Sequence, residues 1–175
     1  MAFQPIAAGL VAAFVAVCVA FDLRVRRIPN VLSGGGVLAG VVLNLLFFGT
    51  RGILPSLSGV AVIVGVLLAP FALGGIGGGD VKMMAAIGAF VGPRLALESL
   101  MAGVIVGGMV VVIHLARLGR LREKLTRLRS MFVGAFLTRS PEPLRISAAE
   151  PGAVALPYSV PLGLGTLAVL ALTLR

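Results

Sequence analysis

The amino-acid sequence predicts an all-α membrane protein: a six-transmembrane-helix bundle with its N-terminus outside, a short fourth helix and a basic cytoplasmic loop. Three observations carry this. Apolar residues make up 59% of the 175 positions, charged residues 12%, and the mean hydropathy is +1.12, against roughly 45–50% apolar and about 25% charged in a soluble domain. The apolar residues come in near-continuous runs without the in-out alternation of a barrel strand. The basic residues cluster at the boundaries of those runs. The length is that of a single domain, 1–175.

A span needs about 20 apolar residues to cross a hydrocarbon core of roughly 30 Å. The first run, Phe3 to Phe21, ends in Asp22-Leu23-Arg24-Val25-Arg26-Arg27 and the turn Pro29-Asn30, where proline cannot continue a helix. With positive charge after it and none before it, this run reads as a retained span entering N-terminus outside, not as a cleaved signal. The second span runs from Val31 to Phe48, and Gly49-Thr50-Arg51-Gly52 links it to the third, Ile53 to Leu73. A glycine-rich turn, Gly74-Gly75-Ile76-Gly77-Gly78-Gly79, leads into Asp80. The stretch Val81 to Val91 is too short to cross alone at about 1.5 Å per residue. Gly92-Pro93-Arg94 interrupts it, so a short fourth helix is expected before a fifth span from Leu95 to Ala116. The competing parse is one long kinked helix, which would invert everything after it. The stretch 117–156 is too charged to span, and a sixth span runs from Pro157 to Leu174.

This arrangement leaves Arg51, Arg94 and Arg175 outside and the other twelve of the fifteen Lys and Arg inside, as the positive-inside rule requires. It also brings Asp22 and Asp80, the only two aspartates, to the same cytoplasmic face, although neither entered the count. In the basic loop, Leu118, Leu121, Leu125 and Leu128 recur at helical spacing among Arg and Lys, the pattern of an amphipathic helix on the anionic cytoplasmic leaflet of the bilayer; an orientation-setting solvated loop is the plainer alternative. A net charge of +9 without basic-aromatic interleaving is no nucleic-acid signal. The lone Cys18 excludes an intramolecular disulfide and a paired-cysteine zinc module, and neither metal nor cofactor is expected.

The two aspartates are the candidates for chemistry. An ionisable group at membrane depth is costly and reads as functional by default. The glycines before Asp80 allow another backbone to approach its carboxylate; a plain helix cap is the alternative. Asp22 lies at the C-terminal end of its helix, where the helix dipole disfavours an anion. Arg26, four residues on, or its neighbours Arg24 and Arg27 could pair with it. Two carboxylates in one site share a proton, so that one activates a water and the other protonates a leaving amine. The helix ends suggest Asp80 as base and Asp22 as proton holder. His114, the only histidine, is not needed for such a pair. Asn44, within the second span, is expected to make an interhelical hydrogen bond.

These residues resemble a family. Asp22-Leu23-Arg24-Val25-Arg26-Arg27-Ile28-Pro29-Asn30 is similar to the first aspartate motif of the type IV prepilin peptidases. Gly77-Gly78-Gly79-Asp80-Val81-Lys82 resembles their second motif, of the GxGD aspartyl protease type, and Leu156-Pro157-Tyr158 their Pro-Tyr/Phe element. The resemblance implies a membrane aspartic endopeptidase of the bacterial inner membrane that removes the short leader of prepilins or pseudopilins at the cytoplasmic face. Asp22 and Asp80 would be its catalytic pair, with Gly77, Gly78, Gly79, Lys82, Pro157 and Tyr158 lining or supporting the site. The compact chain looks like the small members that serve tight-adherence (Flp-type) pilus systems, without the zinc-bearing segment of larger ones. The alternatives are a small proton-coupled transporter subunit, in which acids at the midplane and internal repeats would be expected, and a non-enzymatic pilus assembly factor.

Overall fold

A computed structural model describes residues 5–138 and 158–174, and their regular structure is all helical. The start of the first apolar run at Phe3, Leu156, Pro157 and the end of the basic loop lie outside the described residues. Helix α1 is Pro5–Val25, α2 Asn30–Phe48, α3 Ile53–Ala72, α4 Gly78–Arg117, α5 Leu121–Thr138 and α6 Ser159–Thr173, with a 3-10 turn at Gly49–Gly52. Among the described residues, three stretches are long and apolar enough to cross a membrane: Ala7–Val25, Asn30–Ala72 (α2, the turn and α3) and Gly78–Arg117; α6 is a shorter apolar helix.

Local chemistry sets the ends of these elements. α1 stops at Arg26, whose φ of 51° is left-handed, and Pro29 takes the extended conformation just before α2. The α3–α4 turn uses Gly74 at φ 76°, and its amide donates to the Phe71 carbonyl at 3.0 Å. The 40 residues of α4 are not one straight rod. Gly92 breaks the helical conformation at φ 78°, ψ 176°, with Pro93 directly after it.

The direction of the chain on either side of that break follows from its contacts. Before it, Gly88, Ala89 and Gly92 meet Gly59, Ser56 and Pro55 of α3, so this segment runs antiparallel to α3. It runs parallel to α2, because Ala86 and Ala89 meet Gly36 and Gly40, and antiparallel to α1, because Gly79 meets Ile28 while Phe90 meets Phe14. After the break, Gly107 and Gly103 meet Pro161 and Leu162 of α6, again antiparallel. α1 also opposes α6, with Asp22 at Ser159 and Val15 and Val19 at Gly163. Two segments that stand opposite ways to α1 are opposite to each other, so the chain turns back at Gly92. The short fourth helix of the sequence reading is the segment before this break.

The core lies where α4 is enclosed by α1, α2, α3 and α6. Val11, Val15, Cys18, Ile63, Met83, Met84 and Ile87 are fully or almost fully buried. Small residues let backbones touch. The missing side chain of Gly59 is occupied by the backbone of Gly88, and that of Gly165 by the backbone of Gly103, the close approach expected of helices packed in a membrane. Asn44 Nδ2 donates to the carbonyls of Gly40, Ala89 and Phe90 at 2.9–3.0 Å, which is the interhelical bond its place in an apolar run foretold. The outward faces of α1–α4 carry exposed Leu, Val, Ile and Phe.

Candidate active site

Asp80 is the third residue of α4, and Gly77, extended at φ −72°, ψ 145°, is the residue before the helix. Asp80 is therefore not the N-cap. Its amide donates to the Gly77 carbonyl at 3.1 Å. A β-carbon at Gly77 would lie 3.3 Å from Asp80 Oδ2, so a side chain there would stand against the carboxylate. Asp80 is 8% exposed. Gly78 packs under the Phe71 ring and Gly79 against Ile28; these glycines seat the start of α4 between α3 and the loop after α1.

Asp22 reaches the same place from α1. It lies one turn before the end of that helix, where the Arg26 amide donates to its backbone carbonyl at 2.8 Å. Its side chain makes no ion pair with Arg26. Asp22 Oδ2 instead accepts a hydrogen bond of 2.5 Å from Ser159 Oγ, the first residue of α6. The C-terminal end of α1 thus meets the N-terminal end of α6, and the helix end that disfavours a carboxylate is opposed by one that favours it. Asp22 is also the charged side chain that acts on Asp80, so the fold brings the two aspartates within electrostatic reach.

The other residues singled out by sequence separate into near and far. Tyr158 precedes Ser159 and is exposed. Lys82 extends away from Asp80 and donates from Nζ to Asn30 Oδ1 at 2.7 Å, tying α4 to the start of α2. Pro157 lies outside the described residues. His114 is exposed near the end of α4. Ser159, fully buried, is the site residue that sequence reasoning missed; the only available signal was a hydroxyl at the mouth of an apolar run, next to Tyr158.

An apolar groove of about 350 Å³ is lined in part by Ile76 of the glycine turn and by Tyr158. Its other walls are the second part of α4 from Leu100 to Leu115, Leu162 of α6, and Leu121, Leu125 and Leu128 of α5, and among the described residues Lys124 is its only charged lining residue. Two carboxylates beside a glycine turn can divide acid and base roles on a water.

No curated protein and no solved structure matches the chain. Residues 9–112 match the model of the type IV leader peptidase family, a region that holds both Asp22 and Asp80 and stops short of α6. The match covers more than half of the chain, and the protein belongs to the type IV leader peptidase family and is a protease of that family.

Proposed function

We propose that this protein is an aspartic endopeptidase of the bacterial inner membrane that removes the short leader of prepilins or pseudopilins, with Asp22 and Asp80 as its catalytic pair at the cytoplasmic face. The observation that carries the reading is the convergence of the only two aspartates of the chain, from α1 and α4, beside a glycine turn. Family membership supplies the reaction class. Two acids placed at helix ends do not suit a proton relay through the midplane.

In this reading six segments cross the bilayer: α1, α2, α3, the two parts of α4, and α6. The breaks at Gly49–Gly52 and Gly92 divide the two longest apolar stretches. The N-terminus is outside, and α5 lies along the anionic cytoplasmic leaflet with its Arg and Lys toward the headgroups. The hydrophobic helix of the substrate enters the groove between α4 and α5, and the leader remains on the aqueous side.

The chemistry needs only the pair and a water. One aspartate takes a proton from water as the water oxygen attacks the scissile carbonyl carbon. The other gives its proton to the amide nitrogen as the C–N bond breaks. The products are the leader carboxylate and a new N-terminal amine. The first-turn amides of α4, at Gly78 and Gly79, are the backbone donors offered to an extended leader.

The test is leader release followed by mass spectrometry, with the purified full-length protein and a prepilin of the Flp type in detergent. Wild type is expected to cleave, while Asp22→Asn and Asp80→Asn, each still folded, lose at least about 1,000-fold in rate, as pairs that act as a unit do. Cleavage that survives either substitution refutes the pair. Intact pilus assembly by both variants would favour the non-enzymatic reading.

A further inference from the structure

We propose that Ser159 is a positioning residue of the aspartate pair: its hydroxyl holds Asp22 Oδ2 as a hydrogen-bond acceptor, leaves Oδ1 for the water, and so makes Asp22 the proton acceptor of the reaction. This rests on the Asp22–Asp80 reading above and goes beyond the family match, which ends at residue 112.

Three observations support it. Ser159 is fully buried at the first position of α6, and its hydroxyl donates to Asp22 Oδ2. A buried hydroxyl is costly without a partner, so the bond constrains both side chains. Ser33, Ser58, Ser130, Thr126, Thr166 and Thr173 send their hydroxyls to carbonyls three or four residues back in their own helices. Ser159, the first described residue of α6, instead reaches across to α1. Its backbone is held in turn by the α4–α6 packing. Gly165 sits on the backbone of Gly103, and Gly163 under Val15 and Val19, so the hydroxyl is presented by a rigid element, as a positioned site requires.

The roles follow from the direction of the bond. A hydrogen bond donated to a carboxylate favours its ionised form, so the Ser159 hydroxyl on Oδ2 stabilises Asp22 as the base, and the helix-end objection to a charged Asp22 is met by the N-terminus of α6. Asp80, buried with Gly77 against its carboxylate, then donates to the leaving amine. This reverses the division of labour that the helix ends alone suggested.

The experiment compares wild type, Ser159→Ala, Ser159→Thr, Ser56→Ala and Asp22→Asn as full-length proteins in detergent, with a synthetic prepilin-type peptide as substrate. Ser56 is an equally buried serine whose hydroxyl donates to the Ala89 carbonyl, away from the pair, so Ser56→Ala controls for loss of a buried hydroxyl. Ser159→Ala is expected to lower kcat about 10- to 100-fold, the worth of one hydrogen bond to a charged group, with KM within about threefold. Ser159→Thr, which keeps the donor, is expected to recover most of that rate, and Ser56→Ala to leave kcat within about twofold. The carboxylate stretch assigned to Asp22 by its loss in Asp22→Asn is expected to shift in the infrared spectrum of Ser159→Ala and to stay in place in Ser56→Ala. The inference is overturned if Ser159→Ala keeps the wild-type kcat, if Ser159→Thr is as slow as Ser159→Ala, or if the Asp22 band does not move. Cleavage by Asp22→Asn would instead refute the pair itself.

Discussion

Replacing Gly92 by alanine tests the chain reversal on which the arrangement of α4 depends. At φ 78°, ψ 176° the residue occupies a region that only glycine populates, and a side chain there costs about 1–3 kcal/mol. Crowding adds little, because the new β-carbon would lie 3.7 Å from the Pro55 carbonyl oxygen and 3.8 Å from its β-carbon, both ordinary contacts. Alanine also narrows the unfolded ensemble, which returns about 0.4–1 kcal/mol. The net expectation is a loss of about 1–2 kcal/mol, or roughly 5- to 30-fold in the folded-to-unfolded ratio. Two other glycine-to-alanine variants calibrate this value. At Gly88 the β-carbon would lie 2.6 Å from the Gly59 carbonyl oxygen, backbone against backbone, so Gly88→Ala is expected to cost at least 1–3 kcal/mol through overpacking, on the order of other core insertions. At Gly65, within α3, nothing lies within 4 Å, and Gly65→Ala is expected to stabilise by up to about 1 kcal/mol. Reversible unfolding of the full-length protein in mixed micelles measures all three. If Gly92→Ala is as stable as wild type while Gly65→Ala shows its gain, the left-handed turn at Gly92 is not what reverses the chain.

Three further expectations concern other parts of the structure. Asn44→Leu removes a donor shared among three backbone carbonyls, and unfolding in the same micelles is expected to show a loss of about 0.6–1.7 kcal/mol, the range of interhelical bonds in membranes; a gain would mean that the amide is not holding α2 to α4. Gly165→Val forces the backbones of α4 and α6 apart where they touch, and both stability and kcat are expected to fall, because the displaced helix carries Ser159; retention of full kcat would separate that packing from the site. For orientation, Arg94→Cys is expected to react with an impermeant maleimide in intact cells and Lys82→Cys only after permeabilisation, while Cys18, fully buried, stays unlabelled in both; the opposite pattern would invert the topology.

Much of the helical plan was legible because membrane burial writes itself into long apolar runs, and because Pro29, Gly49–Gly52 and Gly92-Pro93 interrupt those runs where backbone chemistry forbids a regular helix. Asn44 was legible for a related reason: an amide inside an apolar run must find a carbonyl, and the nearest free helix face supplied it. Other partners were not. Arg26 is four residues from Asp22, yet the aspartate turns to a serine 137 positions away, because the left-handed residue at Arg26 ends the helix that would have aligned the pair. Lys82 is two residues from Asp80, yet it reaches Asn30, since neighbours two apart on a helix face different sides.

The sequence by itself determined that this is an all-helical, membrane-type chain of the type IV leader peptidase family and that its chemistry has only two aspartates to draw on. Hydropathy, turn residues and the aspartate motifs are local properties, written in consecutive positions. Only the tertiary structure decided how α4 turns back between its neighbours, that α6 delivers Ser159 to Asp22, and that an apolar groove is lined by Ile76 of the glycine turn and Tyr158. Those facts depend on which small residues let two backbones meet, as Gly59 meets Gly88 and Gly103 meets Gly165, and such contacts join positions that no spacing along the chain connects.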